Sequence, residues 1–215
     1  MNKISKIVCG IILALAFASC GKNNAQPYAV QKDNAWSKNA CGAFSMAYYL
    51  AETKQIPACK VEKTAKDFYK KIKFDPAAGF GDYSDPFKIM EQIAPYAKDV
   101  EFRMNLSNAK TDGEKLLALL ARGADNSFLK DASDFASVLK PDEYAIEILV
   151  PRAAVNLQYP MKNPLHYVLT YWKNGTLYTL DPGKGAEAPR EDFINGKLKS
   201  WNFCNGGIFL RPKSN

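Results

Sequence analysis

The Asn174-Gly175 dipeptide is the feature that most constrains the fold of this chain. It separates two segments rich in β-branched and aromatic residues, 166–172 and 176–180. Asn-Gly between such segments is the strongest short-range signal for a β-hairpin with a two-residue turn. A turn of that length also fixes the register, because Lys173 must pair with Thr176 and each further pair follows by counting outward. The sequence therefore predicts an antiparallel hairpin of known register.

This register brings the only histidine of the chain close to a carboxylate. Counted outward, His166 lies opposite Gly183, and Asp181 lies diagonally from His166 on the same face. Diagonal neighbours are about 7–8 Å apart at the backbone, which allows a carboxylate to reach an imidazole. We therefore expect Asp181 to fix the tautomer and orientation of His166, as the third member of a catalytic triad does.

Hydrophobic periodicity divides the chain into a helical and a strand part. Apolar residues at 36–140 recur at helical spacing, whereas 141–215 contains alternating, β-rich segments. A length of 215 residues fits one domain, which we expect at 36–215, after a signal segment and a short polar tether. Helices followed by antiparallel strands indicate an α+β fold in which the helical half packs on an antiparallel sheet.

Capping and breaker residues locate five helices in the helical part. Asn39 is the predicted N-cap of the first, whose apolar stripe includes Phe44 and Tyr48. The others are predicted at 61–73, from Pro86 to about Ala97 after the N-cap Asp85, from the Thr111–Glu114 capping box to Gly123, and at 131–139.

The first twenty residues are predicted to be an export signal. Two lysines precede an apolar run at 7–17, which is shorter than the roughly 20 residues that a spanning helix needs. One interpretation is ordinary cleavage between Ala18 and Ser19, which would release a secreted protein. The same stretch resembles a bacterial lipobox ending in Cys20, and this is the interpretation we favour. Cys20 would then carry a lipid that anchors the exported chain to the cell envelope, with 21–35 as the tether.

The composition excludes several classes of function. A single histidine excludes metal sites built from two or more imidazoles, and the chain has no P-loop motif, so we predict no metal and no cofactor. Asp82 and Asp85 are too few for a calcium loop, and helix capping is the preferred role for Asp85. The formal charge of +7 falls to +5 once Lys3 and Lys6 leave with the signal.

The second helix, 61–73, has a face dense in lysine. A nucleic-acid or membrane surface is one interpretation of this face, and a solvated helix face is the other. The solvated face is the interpretation we favour, so no nucleic-acid partner is predicted.

Cys41 supplies a candidate nucleophile in the first turn of the first helix. The N-terminus of a helix and a neighbouring imidazole both stabilise a thiolate. Gly42, the next residue, would allow a substrate carbonyl to approach the backbone closely, and N–H groups there can bind an oxyanion. Together with His166 as proton carrier, this pattern predicts covalent acyl chemistry.

These residues resemble those of papain-like cysteine peptidases. The resemblance rests on Asn39-Ala40-Cys41-Gly42, on His166 at the start of a strand, and on Leu180-Asp181-Pro182-Gly183. It is closest to the bacteriocin-processing, or double-glycine, peptidases, which have cysteine, histidine and aspartate in this order. The resemblance implies a papain-like fold and a peptide or protein substrate, with Cys41 as nucleophile, His166 as general acid and base, and Asp181 as the orienting group.

One departure from the family concerns the oxyanion hole. Papain-like enzymes usually have a glutamine six residues before the cysteine, and this chain has Ala35 there. The candidates to supply the missing donor are Gln31, Asn34, Asn39 and the backbone at Gly42. Gln31 lies ten residues before Cys41 and requires a loop four residues longer than usual.

Three questions stay open at the level of sequence. The missing glutamine leaves room for an inactive binding protein with the same fold, and the same triad could serve an acyltransferase instead of a hydrolase. Cys59 and Cys204 are the predicted disulfide partners, which would close a large loop. Aromatic residues could line a cleft or fill the core; these are Tyr48, Tyr83, Tyr159 and Trp172.

Overall fold

The computed structural model describes residues 28–32, 35–74, 83–122, 129–132, 139–197 and 200–213. The predicted signal, the lipidation site Cys20, Asn34 and Asp82 lie outside the described residues. Helices are α1 Cys41–Glu52, α2 Val61–Ile72, α3 Pro86–Ile93, α4 Asp112–Ala121 and α5 Arg190–Asp192, with a π-helical turn at Phe193–Lys197. Strands are β1 Ala97–Met104, β2 Leu129–Asp131, β3 Tyr144–Pro151, β4 His166–Lys173, β5 Thr176–Asp181, β6 Ala186–Pro189 and β7 Trp201–Pro212.

The strands form one seven-stranded sheet in the order β2-β1-β7-β3-β4-β5-β6. All neighbouring pairs are antiparallel except β1 and β2. Helix α1 packs against the middle of this sheet, and its buried aromatic side chains share a core with those of β4. The α+β class with a mostly antiparallel sheet is therefore confirmed.

The predicted hairpin register is also confirmed. Lys173 pairs with Thr176, and the ladder continues to Leu169 opposite Leu180. Asn174 and Gly175 have φ values of +52° and +76°, the left-handed conformations that a type I′ turn requires at both central positions.

The predicted division into a helical half and a strand half is wrong at β1, because this strand lies within the part predicted to be helical. Helix α3 ends at Ile93, and a 3₁₀ turn at Ala94–Tyr96 leads into a strand where the sequence analysis extended a helix to Ala97. Within β1, charged residues alternate with Val100, Phe102 and Met104, which is the period of a strand and not of a helix. The helix predicted at 131–139 fails at its start, because Asp131 belongs to β2, while 133–138 lie outside the described residues.

Two of the three predicted helix caps are present. Asp85 accepts a hydrogen bond from the N–H of Phe87 at 2.9 Å, and Thr111 forms the capping box with Glu114. The prediction of Asn39 as N-cap is wrong, because Ala40 holds that position. Among the described residues, no side chain caps the first N–H groups of α1.

The predicted disulfide between Cys59 and Cys204 is wrong. Cys59 is disulfide-bonded, but Cys204 is a free thiol, and the partner of Cys59 lies outside the described residues. The reason lies in the packing, since Cys204 is buried in β7 against Gly113 of α4, whereas Cys59 is exposed in the turn before α2. Across the described ranges, no helix combines the length and the apolar character needed to cross a bilayer.

Candidate functional site

The structure brings Cys41, His166 and Asp181 together. Cys41 begins α1, His166 begins β4 and Asp181 ends β5, so three elements each contribute one terminal residue. The Nε2 atom of His166 lies 2.9 Å from Oδ1 of Asp181, as the hairpin register anticipates. Cys41 lies beside His166 and helps to raise the pKa of the imidazole, while its thiol donates a hydrogen bond to the carbonyl of Leu165 at 3.8 Å. Since Asp181 engages Nε2, the Nδ1 atom is the ring nitrogen left for the thiol.

Asp181 is held in place by the turn that follows it. Its Oδ1 accepts a second hydrogen bond, from the N–H of Gly183 at 2.9 Å. Its backbone carbonyl accepts from the N–H groups of Lys184 and Gly185. The carboxylate is 3% exposed, so it orients His166 from a nearly water-free position.

The electrostatics of this group favour a charged imidazole. Burial would lower the pKa of His166, but its hydrogen bond to Asp181 and its interaction with Cys41 outweigh burial and raise this pKa to about 10. Burial would likewise raise the pKa of Asp181. The hydrogen bond and charge of His166, with the N–H of Gly183, instead hold that pKa below its usual value. The imidazolium is therefore maintained by the two groups that flank it.

Trp201 covers the histidine, a contact that the sequence analysis missed. Its ring stacks on that of His166 with centroids 5.1 Å apart and planes 29° apart. The two residues are far apart in sequence and meet because β3 pairs with both β4 and β7, so that Leu149 lies opposite both His166 and Phe203. No local pattern contains that information.

An open cleft of about 430 Å³ leads to Cys41 and His166. Of the four aromatic residues considered for such a cleft, Tyr83 lines it. Tyr48 is fully buried in the core, and Trp172 packs on the other face of the sheet beside Leu139. Tyr159 is half exposed and does not line the cleft.

Gln31 reaches this cleft despite its ten-residue distance from Cys41. Its backbone N–H donates to the carbonyl of Pro182 at 2.8 Å, which joins the segment to the turn after Asp181. Its side-chain Nε2 donates to the carbonyl of Lys38 at 2.7 Å. A turn occupies 35–39, between Gln31 and the start of α1.

The other oxyanion candidates differ in placement. Asn39 also lines the cleft, whereas Asn34 lies outside the described residues. Gly42 is buried, and a Cβ atom there would lie 2.7 Å from Cδ1 of Ile89 and 2.8 Å from Cβ of Ser84. The contact between α1 and the start of α3 therefore requires the absence of a side chain at Gly42, a role that the sequence analysis did not assign to it.

Replacing Gly42 by alanine is expected to lower the free energy of unfolding by about 1–2 kcal/mol. Alanine would favour the helix by about 1 kcal/mol, but overpacking against Ile89 typically costs about 1–3 kcal/mol. Urea unfolding measures the difference. Repeating the substitution in an Ile89→Val background, which removes the nearest methyl group, should reduce the penalty. An unchanged penalty in that background would contradict Ile89 as its cause and assign it to the equally close Cβ of Ser84.

Comparison with known protein families, curated proteins and solved structures finds no match.

Proposed function

We propose that this protein is an exported cysteine peptidase, or a related amide hydrolase, of papain-like architecture. The observation that carries the proposal is the cleft where Cys41, at an uncapped helix start, contacts an imidazole that Asp181 holds at 2.9 Å. Nucleophile, proton carrier and orienting group are thus contiguous, and the cleft leads to the first two of them. This is the geometry that covalent acyl transfer from an amide requires.

The reaction follows from these positions. The Cys41 thiolate attacks the carbonyl carbon of the amide, forming a C–S bond and a tetrahedral oxyanion. Imidazolium His166 gives its proton to the amine as the C–N bond breaks, leaving a thioester. Neutral His166 then takes a proton from water, which attacks the thioester and releases the acid. The oxyanion is stabilised by N–H groups at the start of α1 and by the amide of Gln31.

Incubation with an unfolded protein and with a mixed peptide library tests the proposal. We expect new chain ends in the mass spectrum, loss of the activity after iodoacetamide treatment, and none with the Cys41→Ala variant. Adding a primary amine separates hydrolysis from transfer, since a transferase would incorporate the amine. Absence of any cleavage or transfer by freshly reduced protein would favour the inactive binding protein.

Replacing Gln31 by alanine is expected to lower kcat for peptide cleavage by about 10²–10³-fold. Loss of one preorganised oxyanion donor typically has that effect. Asn39→Ala is the matched control, because Asn39 lines the same cleft and is the competing amide. We expect it to retain kcat within about tenfold. The reverse order of the two variants in steady-state kinetics would assign the oxyanion role to Asn39.

A lipid anchor at Cys20 is the proposed means of retention at the envelope. The intact mass of protein purified from membranes should then include a diacylglycerol adduct at a mature N-terminus of Cys20. The lipid requires the Cys20 thiol and Cys9 leaves with the signal, so the anchored chain should also lack the disulfide that the structure gives Cys59. A free N-terminal Ser19, or a disulfide that joins Cys20 to Cys59, would contradict the anchor.

A further inference from the structure

The cleft that leads to Cys41 has an unbalanced positive charge. Lys32 and Lys38 both line it, and both are exposed. Among the described residues, no carboxylate lines the cleft, and neither lysine forms an ion pair. The two ammonium groups are thus free to bind an anion from outside.

The backbone holds both lysines at the rim. The N–H of Lys32 donates to Oγ of Ser37 at 3.2 Å, and that hydroxyl donates back to the carbonyl of Lys32 at 2.6 Å. The carbonyl of Lys38 accepts the hydrogen bond from the side chain of Gln31. Both lysines therefore lie on the wall of the cleft that carries Gln31, and only their side chains need to move to meet a ligand.

The charge has a consequence for substrate choice. A cluster of one sign in a concave site raises the local concentration of ligands of the opposite sign. An acidic substrate that approaches the Cys41 thiolate also requires cations nearby, since two anions would otherwise repel each other. Other surface lysines, such as Lys70 of α2, pair with a carboxylate or lie away from the cleft.

We propose that Lys32 and Lys38 select substrates with a carboxylate next to the scissile amide bond. The inference rests on the proposed peptidase function and names its substrate class, an acidic peptide. The carboxylate can belong to an Asp or Glu side chain or to a free C-terminus close to the bond. Both sources present the same carboxylate group, and peptides with a free or an amidated C-terminus distinguish them.

Matched peptides test the selection. One series has Glu, Gln or Lys beside the cleaved bond, and a second has Gln there with either a free or an amidated C-terminus close by. We expect kcat/KM for the Glu peptide to exceed that for the Gln peptide by about 3–30-fold, as partly exposed charge pairs allow. The ratio should fall in about 1 M salt, where the Debye length is about 3 Å. A preference for the free C-terminus alone would assign the carboxylate to the chain end.

Charge-removing variants connect the preference to the two lysines. Lys32→Gln/Lys38→Gln should bring the Glu-to-Gln ratio of kcat/KM close to one, whereas Lys70→Gln/Lys71→Gln on the exposed face of α2 should leave it unchanged. Binding of the same peptides to the Cys41→Ala variant, measured by fluorescence anisotropy, gives the ratio without catalysis. If the native protein does not hydrolyse the peptides but their binding depends on charge, the peptidase function is overturned and the anion site is kept. Equal cleavage of all peptides would overturn the selection and keep the peptidase.

Discussion

Replacing His166 by alanine is expected to lower kcat for peptide cleavage by at least about 10⁴-fold. Without the imidazole, Cys41 loses the neighbouring group that is proposed to protonate the leaving amine and to deprotonate the attacking water. The chain contains no second histidine to take over. The variant should also react more slowly with iodoacetamide near neutral pH, since the thiolate of Cys41 loses its cationic partner. Single-turnover kinetics and alkylation rates across pH measure the two effects. Loss of less than tenfold in kcat would contradict a role for His166.

Asp181→Asn provides the matched control for the charge of the orienting group. An amide oxygen can still accept from His166 and from Gly183, so the ring should keep its orientation and the loss of kcat should be smaller than for His166→Ala. The charge is lost, however. Asp181 helps to raise the pKa of His166 to about 10, so the imidazolium of the native protein is lost as pH rises through that value. Removing the carboxylate lowers this pKa, and the alkaline limb of kcat/KM should move to lower pH. An unmoved limb would contradict the assignment.

The sequence could predict the His166–Asp181 contact because one short turn determines it. Asn174-Gly175 sets the register, and simple counting from Lys173 and Thr176 then places both side chains. Trp201 could not be found in this way, since its contact with His166 depends on two separate strand pairings with β3. The sequence could name Gln31 as one candidate oxyanion donor but could not choose it over the other candidates. Its position depends on the turn at 35–39 and on a hydrogen bond to Pro182.

The errors in the fold have a similar origin. Strand β1 follows a 3₁₀ turn without a strong breaker after Pro95, so the sequence analysis did not separate it from the helical part of the chain. Asn39 has the chemistry of an N-cap, but Ala40 takes that position when the preceding turn closes on Ser37. The position of Gly42 beside Cys41 suggested a role in substrate access. The contact that requires a glycine there is a tertiary contact with α3, which the local sequence does not contain. Local sequence was thus sufficient where a single turn determines the geometry, and insufficient where tertiary packing determines it.

Beneath the site, a buried ion pair joins α5 to the sheet. On the face of the sheet opposite α1, the guanidinium of Arg190 donates to both carboxylate oxygens of Glu147 at 2.7 and 2.8 Å. The hydroxyl of Thr170 donates to the same carboxylate at 2.6 Å. Arg190 also lies over the ring of Phe203, two residues from Trp201 in β7, with its guanidinium carbon 4.6 Å from the ring centroid. Glu147 is 1% exposed, and among the described residues its ion pair is with Arg190.

Replacing Arg190 by methionine is therefore expected to lower the free energy of unfolding by about 3–5 kcal/mol. Breaking a buried pair leaves an uncompensated charge, whereas replacing both partners by neutral groups is often close to neutral. The Glu147→Gln/Arg190→Met variant should accordingly recover most of the loss, since the amide oxygen can still accept from Thr170. Urea unfolding at neutral pH measures both variants. If the double variant is no more stable than Arg190→Met, the loss comes from missing packing against Phe203 and not from the stranded carboxylate.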